Sequence, residues 1–178
     1  MLFRSNVSSR QFRAPDFVAK IEQQRAAAGV AARYVVLELT ERTVIDDIEG
    51  TIEKMQALRA LGFRFSVDDF GIGYSSLANL RRLPLDQLKV DRSFVLDVVE
   101  DVNAGVIAET IIAMGRQLGL ETIAEGVEVE AQKEFLAARG CRGFQGYLYC
   151  RPVPDAEDRK STRLNSSHIQ KSRMPSSA

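Results

Sequence analysis

The sequence predicts a parallel α/β fold, made of repeated strand–helix units that collect polar side chains at one rim. Three observations predict it. Helical stretches stop at Gly29, Gly62, Gly119 and Gly140, each followed directly by a strand pattern, and glycine there supplies the left-handed cap that ends a helix. The strands then end in Glu38, Asp68, Lys89 with Asp91, Glu125 and Gln145, roughly one polar end per βα unit. The chain has 178 residues, long enough for a single substantial core. Polar groups at the carboxyl ends of successive parallel strands mark the site of a (β/α) barrel or an open sheet.

Taken in order, Leu2 to Ser8 reads as a strand end, where an asparagine such as Asn6 is ordinarily a turn or cap residue. Pro15-Asp16 opens a helix through Phe17, Ile21 and the Ala26–Ala28 run. Tyr34 to Glu41 is an apolar strand interrupted by Glu38; a carboxylate there is expensive unless paired or metal-bound. Ile48, Ile52, Met55 and Leu58 recur at helical spacing. Period-two alternation over Phe63–Asp68 sets Phe63, Phe65 and Val67 on one strand face and Arg64, Ser66 and Asp68 on the other. Leu77 and Leu80 imply a short helix ending near Pro84, and Asp86 to Asp91 a strand with Lys89 and Asp91 on one face. Val106, Ile107, Thr110, Ile111, Met114 and Leu118 give one apolar helical stripe, read as core packing. A strand over Leu120–Glu125, a helix around Phe135 and Leu136, and a last strand from Cys141 to Tyr149 complete the pattern.

Composition narrows the function classes. Hydrophobic residues make up 45% and charged residues 27%, as in an ordinary globular protein. Formal net charge is zero, so no electrostatic footprint for a nucleic acid polymer or an anionic membrane stands out. The charge is uneven: residues 157–178 carry +3 and the preceding part −3. Cys141 and Cys150 form no metal-binding pattern, which points to reduced thiols and a cytoplasmic setting. No apolar run is long enough to span a bilayer. The single histidine, His168, lies in a Ser- and Arg-rich tail, so histidine-based catalysis is not expected.

The run from Ser66 to Leu77 carries the chemistry. Asp68 and Asp69 are adjacent carboxylates at a strand end, followed by Gly71 and Gly73. Taken alone, such a pair is most often solvated, or caps the next helix. Beside Glu38 and Glu125 at the same rim, a shared divalent cation is the simplest remedy for the repulsion.

Asn6-Val7-Ser8, Glu38-Leu39-Thr40-Glu41, Asp68 through Leu77, Leu88-Lys89-Val90-Asp91, Ala124-Glu125-Gly126-Val127-Glu128, and Gln145-Gly146-Tyr147 with Arg151-Pro152 occur in this order. Together they resemble the EAL-domain family of cyclic di-GMP phosphodiesterases over about residues 1–154. The resemblance implies a modified TIM-type (β/α)8 barrel that hydrolyses cyclic di-GMP to linear pGpG with two Mg²⁺ or Mn²⁺ ions. By motif, Asn6, Glu38 and Asp68 would be metal ligands, and Asp69 would reach the second cation. Lys89 would hold the attacking water or hydroxide and the phosphate. Glu125 would ligate metal or act as general base, supported by Glu128. Glu41 would anchor the loop after Asp69, and Gln145 would position water or substrate. A homodimer is compatible with the family.

Two departures go with the resemblance. No Glu-Ala-Leu triplet occurs, and by family analogy the first two of eight strands are absent, leaving the last six βα units. Ile72 stands where the family usually has threonine. Residues 155–178 read as a disordered tail or a non-native read-through. A barrel short of two strands exposes edges and core, so this chain alone is expected to be poorly soluble and weakly active. The alternative is an inactive regulatory module that binds cyclic di-GMP. A Schiff-base lysine at Lys89 is disfavoured by the crowd of carboxylates around it.

Overall fold

Six parallel strands lie side by side in sequence order in the computed structural model, which describes residues 3–71 and 77–149. They are β1 (Phe3–Asn6), β2 (Val35–Thr40), β3 (Arg64–Phe70), β4 (Gln87–Val90), β5 (Glu121–Glu125) and β6 (Gly143–Gln145). Between them run α1 (Ser9–Arg13), α2 (Phe17–Ala27), α3 (Glu41–Ile45), α4 (Ile48–Ala60), α5 (Leu77–Arg82), α6 (Arg92–Leu96), α7 (Val102–Gln117) and α8 (Glu130–Ala138). Parallel neighbours in strict chain order, joined by helical crossovers, are the arrangement of a TIM-type (β/α) barrel. Within the described residues β1 and β6 are the two ends of this arc. No described helix is long and apolar enough to cross a membrane.

Each expected helix stop is a left-handed glycine, with φ of 66°, 98°, 71° and 96° at Gly29, Gly62, Gly119 and Gly140. The core sits between sheet and helices, where Leu37, Leu39, Phe65, Val67, Leu88 and Val90 meet Met55, Leu58 and Ile112. β4 is buried at all four positions: Leu88 and Val90 alternate with Gln87 and Lys89, because a parallel sheet is covered on both faces. β1 differs, with all four residues exposed.

β3 carries one extra residue. Val67 pairs with Leu88 and Phe70 with Val90, so three steps on β3 match two on β4. This is a β-bulge, and Asp69 inside it has φ of 54°, the one described non-glycine residue with positive φ.

Two expectations change, and three short helices are additions. α1, α3 and α6 carry no apolar periodicity of their own and escape a pattern search. In α7 the buried face is Ala104, Gly105, Ala108, Ile111, Ile112 and Gly115, while Val106 is 58% exposed and Ile107 37%. The helix lies so close to the sheet that a side chain at Gly115 would collide with Thr122; small residues therefore face inward and the larger valine faces out. The last strand is shorter than expected. At Gly146 a Cβ would collide with the backbone of Val127, and the chain leaves the sheet in a turn through Tyr147–Tyr149. Ile72 and residues 150–178 lie outside the described residues.

Candidate active site

Lys89 is the centre of the rim. β4 points it inward, and only 2% of its side chain is exposed. Its ammonium meets Glu38 Oε2 at 3.0 Å, Asp68 Oδ1 at 3.1 Å and the carboxylate of Glu125. The three partners come from β2, β3 and β5, so one cation ties together four strands. A buried ammonium so placed is worth keeping charged. Burial alone would depress its pKa, but Glu125, then Asp68 and Glu38, outweigh that and raise it above the ordinary 10.5. Glu125 moves up from the usual glutamate value: burial leads, Lys89 opposes it, and Asp68 and Glu38 add repulsion.

The other groups stand around this centre. Glu38 also accepts a 3.0 Å hydrogen bond at Oε1 from Arg4 of β1, whose same nitrogen donates to Gln87 Oε1 at 3.0 Å. Asn6 pairs in register with Glu38, and Gln145 with Glu125; both are exposed. The Asp69 amide donates to Asp68 Oδ1 at 3.1 Å. Its carboxyl is raised above the usual aspartate value by burial first, then by Asp68 and Asp91. Glu41, buried at the start of α3, accepts the Gly71 N–H at 3.2 Å, just beyond the bulge.

Glu128 stands apart from the Lys89 group. Its carboxylate pairs with Arg92 Nη2 at 2.7 Å, so the expected support for Glu125 is not a contact between their side chains. Three residues in or beside the rim, Arg4, Gln87 and Arg92, escaped the motif reading, and Asp91, quoted in the Leu88–Asp91 motif, was given no role there. Arg4 and Gln87 belong to it through contacts across strands. Asp91 caps α6, accepting the Ser93 N–H at 2.8 Å, and its negative charge adds to the upward shift of Asp69. Its signal in sequence was the Asp91-Arg92-Ser93 cap pattern. Arg92 had none.

The chemistry of the donor set fits a hard divalent cation. Asn6, Glu38, Asp68, Asp69 and Glu125 offer only oxygens, and three carboxylates against one ammonium leave the centre negative. Their spacing is set by Lys89 instead: the acidic oxygens turn toward its nitrogen. Among the described residues no three acidic, histidine or cysteine side chains stand at metal-site spacing.

Comparison with known proteins gives concordant results. The family model described as EAL domain matches residues 1–152. Cyclic di-GMP phosphodiesterase NbdA of Pseudomonas aeruginosa is 48% identical over 137 residues, covering 77% of this chain and 18% of that protein. The bifunctional diguanylate cyclase/cyclic di-GMP phosphodiesterase MucR of the same organism is 40% identical over 84% of this chain and 22% of its own length. The chain thus spans about a fifth of the curated relatives it matches. The MucR phosphodiesterase solved as a c-di-GMP complex superposes with a TM-score of 0.84 at 38% identity, covering 88% of this chain and 63% of that one. Klebsiella pneumoniae BlrP1, solved with manganese and c-di-GMP, gives 0.78 at 33% identity, over 85% and 39%.

Proposed function

The chain belongs to the EAL domain family, and on that premise we propose that it forms part of a phosphodiesterase that hydrolyses cyclic di-GMP to linear pGpG. The observation that carries the reading is Lys89, buried among Glu38, Asp68 and Glu125 at the carboxyl ends of adjacent strands. Such a group is costly to bury and adds nothing to packing that an aliphatic residue could not supply. Its value is chemical.

The residues divide the work. Asn6, Glu38, Asp68, Asp69 and Glu125 would hold Mg²⁺ or Mn²⁺, with Asp69 toward a second ion. Bound there, the metals would lower the pKa of a water and offset phosphate charge. Lys89 keeps its proton at neutral pH and so donates to the attacking oxygen and to the non-bridging phosphate oxygens. Glu125 would either ligate metal or act as general base toward the attacking water. Glu41 holds the Gly71 end of the bulge, and Gln145 on the neighbouring strand orients water or substrate.

A cytoplasmic setting and a homodimer belong to the same proposal. Leu96, Val99, Val102, Val106 and Ile107 present apolar surface along α6 and α7 for a second copy; sedimentation equilibrium tests this.

The deciding experiment incubates the chain with cyclic di-GMP and Mn²⁺ and follows linear pGpG by chromatography. Metal-dependent product that disappears in Lys89→Met supports the enzyme. Tight binding without turnover would instead support a regulatory binding module.

A further inference from the structure

Beyond Lys89 and Arg4 the rim carries a further cation, Arg92, that the phosphodiesterase reading leaves without a role. It is the first residue of α6, directly after Asp91. Three contacts converge on its side chain. Nη2 donates to Glu128 at 2.7 Å. The guanidinium lies 5.9 Å from the centre of the Tyr147 ring. The aliphatic stem fills the space beside Gly126, where a Cβ would collide with the Cγ of Arg92. Gly126 has φ of 73°, so both its conformation and the space beside it require glycine.

These contacts reach two loops, each beginning at a site residue. Gly126 and Glu128 follow Glu125; Tyr147 follows Gln145. The loops are joined to each other as well: the Val127 amide donates to Gln145 O at 3.0 Å and the Leu148 amide to Val127 O at 3.0 Å. Gln132 adds a fixed point from α8, accepting the amides of Glu128 at 2.8 Å and Val129 at 3.1 Å and donating to Leu96 O at 2.9 Å. The β5–α8 loop is therefore fastened to both ends of α6, and Arg92 is the fastening nearer the site.

We infer that Arg92 is a positioning residue that locks the loops after Glu125 and Gln145 against the start of α6, and so sets the orientation of those two side chains at the rim. An ordinary surface ion pair would account for the Glu128 contact. It would not account for a stem packed on a left-handed glycine and a guanidinium held near a ring of a second loop. The ion pair and the ring contact together are worth about a tenfold shift in a local opening equilibrium. Lysine would keep the charge and lose the planar fork.

The kinetic arm of the test rests on the phosphodiesterase reading; the exchange arm does not. Amide hydrogen exchange is measured on the full chain for wild type, Arg92→Ala and Arg92→Lys, together with cyclic di-GMP turnover. In Arg92→Ala, exchange is expected to rise about tenfold over 126–129 and 146–148 while β2 and β3 stay unchanged. The expected kinetic signature is a lower kcat with KM little changed, and a smaller loss in Arg92→Lys. Unchanged exchange in both loops overturns the proposal, as does an equal rise across the whole sheet. A fall in kcat without faster loop exchange also overturns it, since Arg92 would then act on substrate directly. Absence of turnover in wild type would count against catalysis by this chain on its own, and the exchange result would still decide the role of Arg92.

Discussion

Lys89 meets its carboxylates with 2% of its side chain exposed, whereas Arg92 and Glu128 meet with 54% and 35% exposed. Both are cations gathering acids at the same rim. One sits inside the strand layer where water cannot screen it, and the other at the surface where water competes for every contact. In the buried group the partners depend on one another, because desolvation makes an unpaired charge expensive. In the exposed group the pair itself is cheap, and its importance comes from what the side chain wedges in place. Depth decides whether such a cluster acts through charge or through geometry.

The largest test of that contrast is Lys89→Met. Losing the ammonium strands Asp68 and Glu125 without a counter-charge and leaves Glu38 with Arg4 alone, and urea unfolding is expected to show a loss of about 3–5 kcal/mol. A loss below about 1 kcal/mol would put both clusters on the same footing. The pH dependence sharpens the point. The Lys89 pKa is raised in the folded state above 10.5, so its stabilisation is complete below 10.5 and fades as pH climbs through the folded value. The gap in stability between wild type and Lys89→Met should therefore narrow at strongly alkaline pH.

Next in size is Gly126→Ala, expected to cost about 1–3 kcal/mol because the backbone is left-handed and the stem of Arg92 occupies the space. The penalty should shrink in an Arg92→Ala background, which removes the collision and leaves the strain. Equal penalties in the two backgrounds would mean that Arg92 does not shape the loop. Glu128→Gln should cost under about 1 kcal/mol, with the loss diminishing at high salt. The smallest effect belongs to Ser66, whose buried hydroxyl has no hydrogen-bond partner among the described residues. Ser66→Ala is expected to be neutral or to gain about 1 kcal/mol in thermal unfolding.

Much of this architecture was legible in the sequence because its signals are local. Glycine stops, alternating strands and polar strand ends are decided within a few residues, and Glu38, Asp68, Lys89 and Glu125 were all named from them. The missing parts depend on contacts between distant segments. Arg4 touches Glu38 and Gln87, 34 and 83 residues away, and Arg92 touches Glu128, 36 residues away. The buried face of α7 was misread for a related reason. A hydropathy stripe favours Val106 and Ile107, but close approach to the sheet selects Ala104, Ala108 and Gly115. The length of β6 was set by the backbone of Val127 pressing on Gly146, which no window around residue 146 reveals.

The extra residue in β3 makes the acid count of the rim a question of parity. An uninterrupted strand sends neighbouring side chains to opposite faces, so Asp68 and Asp69 could not both serve one rim. The bulge resets the alternation, and the left-handed backbone of Asp69 bears the strain. Asp69→Gly should consequently raise stability by up to about 1 kcal/mol while removing one acid from the site. Deleting a single residue there would restore strict alternation and leave one acid fewer at the rim, with the sheet still paired. In this strand a change of length can thus remove one acid from the rim, as a change of residue can.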